Sequence, residues 1–100
     1  MAEKILADQK KFIIKTIFQF FPQVEILAFG SRIRGDAKTY SDLDLALKMD
    51  PHVSLKLSQI AFLEEAFSNS DLPFKVDLVI YSKVSAEFRE IIDKSSVIWG

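Results

Sequence analysis

Apolar side chains at Ile5, Phe12, Ile13, Ile17, Phe20 and Phe21 recur at helical spacing across residues 3 to 21, with Glu3, Lys4, Asp8, Lys11 and Lys15 between them. The pattern predicts an amphipathic helix stopped by Pro22. Val24 to Phe29 is an unbroken apolar run apart from Glu25, too short for a typical helix and closed by a turn-forming glycine, so it reads as a strand. Gly30 then opens a loop, and a short helix is expected from Ser31 to near Gly35, a residue suited to a left-handed C-cap. Asp36 to Ser41 is polar turn. A second strand runs from Asp42 to Lys48, and Asp50-Pro51 breaks it ahead of a helix that Ser54 caps and that carries Ile60, Leu63 and Phe67 on one face. After a loop from Asn69 to Pro73, a third strand from Lys75 to Tyr81 sends Val76, Leu78 and Ile80 to one side and Asp77, Val79 and Tyr81 to the other. Val84, Phe88, Ile91 and Ile92 mark a last helix, and Val97-Ile98-Trp99 a short edge strand. The order α-β-α-β-α-β-α predicts an α/β (α+β) fold, with a mixed β-sheet of three or more strands backed by helices.

A length of 100 residues predicts one domain, residues 1–100, able to bury roughly 65% of its unfolded surface without staples. Hydrophobic residues at 49% and charged residues at 27% are ordinary for a globular chain and exclude disorder. Thirteen basic against fourteen acidic residues leave a formal net charge of −1, so no global field draws the chain to nucleic acid or membrane. Any anion must be held locally, and direct nucleic-acid binding is disfavoured. The lack of cysteine excludes disulfides, thiolate metal sites and a cysteine nucleophile. No apolar stretch approaches the roughly 20 residues of a membrane helix, and Met-Ala-Glu-Lys carries no signal-peptide pattern. A cytoplasmic location is expected.

Chemistry concentrates in one spacing. Gly30-Ser31, ten residues, then Asp42-Leu43-Asp44 places a small loop and two carboxylates at neighbouring strand ends. Along a strand Asp42 and Asp44 point the same way, their Cα atoms about 6.7 Å apart, while Leu43 and Leu45 point into a core. Two acids sharing a face call for a cation. Asp77 is charged within an apolar strand and joins them as a third carboxylate if the strands neighbour each other. Asp42, Asp44 and Asp77 then supply the oxygen ligands that suit magnesium, and two such ions can stabilise an in-line displacement at phosphorus. Gly30 lets the backbone approach a ligand, and Ser31 offers a hydroxyl and the first free amides of a helix, where a triphosphate tail can be gripped. Taken singly, a Gly-Ser pair is a turn and an Asp-x-Asp pair a solvated strand end; in this order, with a third aspartate, they read as a site. Arg34 is assigned to the phosphates and Arg32 to a structural pairing with Asp36 or Glu25, while Lys38 is a rim contact. The lone His52, beside Pro51, is read as inert, and Ser41 as a cap of the turn before strand two. Phe18, Phe62 and Trp99 exceed what one small core hides and hint at a partner surface, leaving homo- or hetero-oligomers open. Tyr40 and Tyr81 are placed near the site, free to stack on a base.

With these residues in view, Gly-Ser-Arg-Ile-Arg-Gly-Asp-Ala followed by Ser-Asp-Leu-Asp-Leu-Ala resembles the minimal nucleotidyltransferases of the DNA polymerase β-like superfamily. The resemblance extends over nearly the whole chain, through the leading helix and the later Lys-Val-Asp-Leu-Val, and no motif position departs from it. It implies magnesium-dependent transfer of a nucleoside monophosphate, AMP from ATP or the equivalent from another triphosphate, to a hydroxyl. It maps Gly30 and Ser31 onto the family's Gly-Ser and Asp42, Asp44 and Asp77 onto its metal carboxylates. Many small members are similar to antitoxins that pair with a helical HEPN-domain toxin, some adenylylating a tyrosine of it. A protein acceptor is therefore expected, because one short chain cannot complete a pocket for a small acceptor. The alternative is a non-catalytic module that neutralises such a partner by occlusion.

Overall fold

A computed structural model describes residues 7–35, 41–50 and 56–99. Its elements are α1 (Ala7–Phe20), β1 (Glu25–Phe29), α2 (Ser31–Arg34), β2 (Leu43–Lys48), α3 (Leu57–Ser68), β3 (Val76–Ile80), a 3-10 turn at Tyr81–Lys83, α4 (Ala86–Ser95) and β4 (Val97–Trp99). Every element expected from the pattern is present, with strand ends shifted inward by about one residue. The start expected for the first helix and the cap expected at Ser54 lie outside the described residues.

Local chemistry accounts for several boundaries. Gly35 takes the left-handed conformation at φ 87° that a β-carbon would oppose, and its N–H donates to the Ser31 carbonyl at 3.0 Å, ending α2 after one turn. The Lys56 N–H donates to Oε1 of Gln59 at 3.1 Å, so a side chain from inside the first turn of α3 satisfies the backbone ahead of it. At α4 the Ser85 hydroxyl accepts from the Phe88 N–H at 3.2 Å, a cap that the periodicity did not single out.

The strands form one mixed sheet in the order β3-β2-β1-β4. β1 runs antiparallel to both β2 and β4, and β2 runs parallel to β3, the pairing for which α3 provides the crossover. Strand alternation then sorts the apolar residues into two layers. On one face Ile26, Leu43, Leu45, Leu47, Val76 and Leu78 meet the buried sides of α1 and α3, represented by Ile13, Ile17, Leu63 and Phe67. On the other face Leu27, Phe29 and Ala46 meet Ile92 of α4, with Val79 and Phe88 half-buried beside them. Leu43 and Leu45 are fully buried, as the alternation of Asp42 and Asp44 with apolar neighbours requires.

Three expectations about large side chains are corrected. Trp99 is not a surface residue: β4 pairs it with Ile26, and 1% of it remains exposed. Phe18 is half-buried against the main core, whereas Phe62 stays 59% exposed. Ile91 does not share the buried stripe of α4; it is 60% exposed, because the sheet takes up Phe88 and Ile92, one turn apart.

Candidate active site

β1, β2 and β3 place Phe29, Asp44 and Asp77 in one row across the sheet. Asp44 is the antiparallel partner of Phe29 and the parallel partner of Asp77, so all three side chains rise from the face that α4 covers only in part. Neighbouring strands bring the Asp44 and Asp77 Cα atoms to about 4.8 Å. Asp42 lies just ahead of β2 and is exposed. The Leu43 N–H donates to the Lys75 carbonyl at 2.8 Å, tying that end of β2 to the start of β3.

Electrostatics agree with this row. Burial pushes the Asp44 carboxyl above its ordinary value, and Asp77 and Asp42 push it further, while the Arg34 guanidinium pulls it back. The aspartates are thus close enough to repel. Among the described residues no three acidic or histidine side chains close into a metal cage by themselves. A magnesium ion does not need one, since it keeps several waters and takes one or two carboxylates together with substrate phosphate oxygens. A carboxylate such as Asp44, whose ionisation is opposed by burial and by neighbouring acids, fits a divalent cation, and nitrogen or sulfur ligands are absent from the row.

Gly30 is fixed by two independent demands. Its φ of 86° and ψ of −164° belong to a region that only glycine occupies freely. A β-carbon there would also overlap Oδ2 of Asp44 and come within 3.1 Å of its Cγ. The loop therefore touches the carboxylate that the spacing associated with it. The Gly30 carbonyl accepts from the Ile33 and Arg34 N–H groups at 3.1 and 3.0 Å, which closes α2 directly onto the loop.

Beside the loop is an open hollow of ≈ 370 Å³. Its lining combines Gly30, Ser31, Arg34 and Asp44 with the apolar Phe29, Phe88 and Ile91. Arg34 is exposed and attracts Asp44. Arg32 is different. Only 3% exposed, it donates through Nε to the Ser41 carbonyl at 2.7 Å and lies over the Phe74 ring at 4.3 Å from its centroid. Burial lowers its pKa from the ordinary value and nearby Asp42 raises it again. Its role is the structural pairing expected, but with Ser41, Phe74 and Asp42 rather than Glu25; Asp36 lies outside the described residues. Arg32 thereby holds the segment that leads into β2 and its aspartates.

Tyr81 is not at this site. It stands four residues along from Asp77, about 13 Å at strand rise, where its hydroxyl donates to both Asp93 oxygens at 2.8 and 2.9 Å and its ring lies under Lys48. Lys38, Tyr40 and His52 lie outside the described residues. The sequence pattern missed Phe29 and the Phe88-Ile91 side of α4 as lining residues. A weak signal existed at Ile91, which lies one position off the Phe88-Ile92 stripe.

Comparison with known proteins follows the same lines. A model of the polymerase beta nucleotidyltransferase family matches residues 13–100. The chain is 43% identical over 98 residues to a Haemophilus influenzae protein described as a probable protein adenylyltransferase, MntA, a match covering 97% of this chain and 84% of that protein. A solved structure described as a minimal nucleotidyltransferase superposes with a TM-score of 0.70 at 23% identity, covering 90% of this chain and 88% of the other.

Proposed function

The chain belongs to the polymerase beta nucleotidyltransferase family, and on that premise we propose that it transfers AMP from ATP to a hydroxyl of a protein partner. The observation that carries the site assignment is the row of Asp44 and Asp77 on adjacent parallel strands with Gly30 packed against Asp44. The protein acceptor is supported by the 43% identical relative, whose description names protein adenylyltransfer. We take residues 1–100 as one nucleotidyltransferase domain.

In this mechanism Ser31 and Arg34 hold the β- and γ-phosphates, Gly30 allowing the backbone to approach them. Asp42, Asp44 and Asp77 would hold two divalent cations, magnesium by their all-oxygen donor set, which supply charge neutralisation for the triphosphate and for the departing pyrophosphate. Asp77, one strand from Asp44, orients the acceptor hydroxyl and takes its proton. The acceptor oxygen bonds to the α-phosphorus, the bond from that phosphorus to the bridging oxygen breaks, and pyrophosphate leaves. The protein's contribution is chiefly positioning and electrostatic stabilisation.

The partner we infer is a HEPN-domain protein, the chain acting as the antitoxin of a pair in the cytoplasm. Among the described residues no helix is long and apolar enough to cross a membrane. Exposed Phe62 and Leu57 on α3, at 59% and 78%, supply apolar surface for a partner and also favour a second reading, neutralisation by occlusion alone. The test is the intact mass of the co-purifying partner after incubation with magnesium and each nucleoside triphosphate. AMP transfer predicts a gain of one or more adenylyl groups, lost in Asp44→Asn and Asp77→Asn. An unmodified partner that the wild type and an Asp42→Ala, Asp44→Ala variant neutralise equally would establish occlusion instead.

A further inference from the structure

We propose that Phe88 and Ile91 of α4 form the surface against which the donor's ribose and base lie, so that the site chooses its nucleotide by apolar contact area. It follows that purines are favoured over pyrimidines, with adenine and guanine poorly distinguished. The inference rests on the nucleotidyl-transfer function above and extends it to donor selection.

The lining of the hollow is of two kinds. Among its described lining residues, the side chains able to hydrogen-bond are Ser31, Arg34 and Asp44, all at the loop end. The side chains of Phe29, Phe88 and Ile91 are hydrocarbon. The two kinds adjoin within one peptide, because Phe29 immediately precedes Gly30 and is the register partner of Asp44. A triphosphate held at Ser31 and Arg34 therefore lies beside the Phe29-Phe88 side. A volume of ≈ 370 Å³ lies within the range of small-molecule sites, about 300–1,000 Å³.

That side is also rigid where it needs to be. Phe88 packs edge-on against Phe29, with ring centroids 5.7 Å apart and planes at 84°, and its own N–H is fixed to the Ser85 hydroxyl. Ile91 stands one turn further along α4. It belongs to neither buried cluster, is 60% exposed and lines the hollow. A single exposed isoleucine is unremarkable on most surfaces. Here it extends an aromatic wall that begins at the phosphate loop, and a planar base bridging Phe88 and Ile91 would cover both. Contact of this kind scales with area and is blind to the exocyclic groups that separate adenine from guanine.

The test compares binding of ATP, GTP, CTP and inorganic tripolyphosphate, each with magnesium, by calorimetry on the wild type and on Ile91→Ala and Phe88→Leu. Ile91 is exposed, so its variant should melt as the wild type does, and it carries the main comparison. The expected result is ATP binding weakened roughly three- to tenfold by Ile91→Ala, tripolyphosphate binding within about twofold, and a reduced preference for ATP over CTP. GTP should track ATP throughout. If Ile91→Ala leaves ATP affinity unchanged and instead raises KM for the protein acceptor, the wall belongs to the acceptor and the proposal is overturned. A wild-type preference for ATP over GTP above about tenfold would likewise overturn it. If the wild type fails to bind tripolyphosphate, or Arg34→Ala binds it equally well, the phosphate assignment falls and this inference with it.

Discussion

Replacing Asp77 with asparagine should make the protein more stable while ending nucleotidyl transfer. The magnitude follows from the strand register. Asp44 and Asp77 are direct partners on parallel strands, which sets their charged groups about 5 Å apart. Two like charges at that distance repel by about 0.8 kcal/mol in bulk water and about 3 kcal/mol at an effective dielectric constant of 20. Both aspartates are half-buried, so a value between these limits, about 1–2 kcal/mol, is expected. In a chain of 100 residues that corresponds to a rise in Tm of roughly 5–15 °C. The pH dependence has a definite sign. Asp44 titrates above its ordinary value of 3.8 because of burial, Asp77 and Asp42. The native state therefore holds its proton longer than the unfolded chain does, and stability falls as pH rises from about 3.8 through the native pKa. Asp77→Asn removes the second of those causes, so its advantage should be absent below pH 3.8 and complete above the native pKa. Thermal melts across that range, in chelator-treated buffer, measure the difference. Adding magnesium with ATP should raise the wild-type Tm and move the variant less. A variant no more stable than the wild type at neutral pH, or one whose advantage persists in acid, would show that these carboxylates do not oppose each other.

Gly30→Ala should cost about 1–3 kcal/mol for the backbone conformation alone, and its β-carbon would displace the Asp44 carboxylate; melts should show the loss, and AMP transfer should fall further than the folded fraction does. Arg32→Ala removes the bond to the Ser41 carbonyl and the stack on Phe74, and urea denaturation should record a loss of about 2–4 kcal/mol. Arg32→Lys should recover only part of it, since an ammonium lacks the planar face and the Nε donor. Arg34→Ala takes away the attraction that lowers the Asp44 pKa, so the acidic limb of the pH–rate profile should move to higher pH, and KM for ATP should rise about 10- to 100-fold through the lost charged contact. An unchanged profile together with an unchanged KM would remove Arg34 from the site.

Much of this architecture was legible because short-range rules decide it. The 3.6-residue spacing of Ile13, Ile17, Leu63 and Phe67 and the twofold alternation around Leu43, Leu45, Val76 and Leu78 mark which side of each element is buried, and the core confirms those sides. Gly35 ends α2 for the steric reason that its position suggested. What could not be seen depends on pairing between distant segments. Nothing within Val97-Ile98-Trp99 reveals that β4 lies beside β1, yet that neighbour is what hides Trp99. Arg32 gave a similar difficulty: its charge suggested a surface pair, whereas an aromatic face at Phe74, 42 positions later, and a carbonyl at Ser41 allow it to be buried. The Asp-x-Asp motif announced two acids on one side of a strand. The closeness of Asp44 to Asp77 required a parallel register that is set by α3 and visible in neither strand alone.

The sheet's second face explains why the charged row can persist in so small a fold. Its first face is sealed by α1 and α3, leaving Leu43, Leu45 and Leu47 without exposure. α4 closes only part of the opposite face, around Leu27, Phe29, Ala46 and Ile92. Had it extended over Asp44 and Asp77, both acids would have lost their water, a cost of several kcal/mol per ion that a chain of this size could not absorb. Had it been missing, the aspartates would be fully solvated and their mutual repulsion correspondingly weaker. The row sits at the margin of α4, where Phe88 and Ile91 end the hydrocarbon layer and Gly30 brings the backbone against Asp44. Half-burial at that margin strengthens the interaction between the carboxylates without removing them from water, which is the setting that the proposed cations and substrate require.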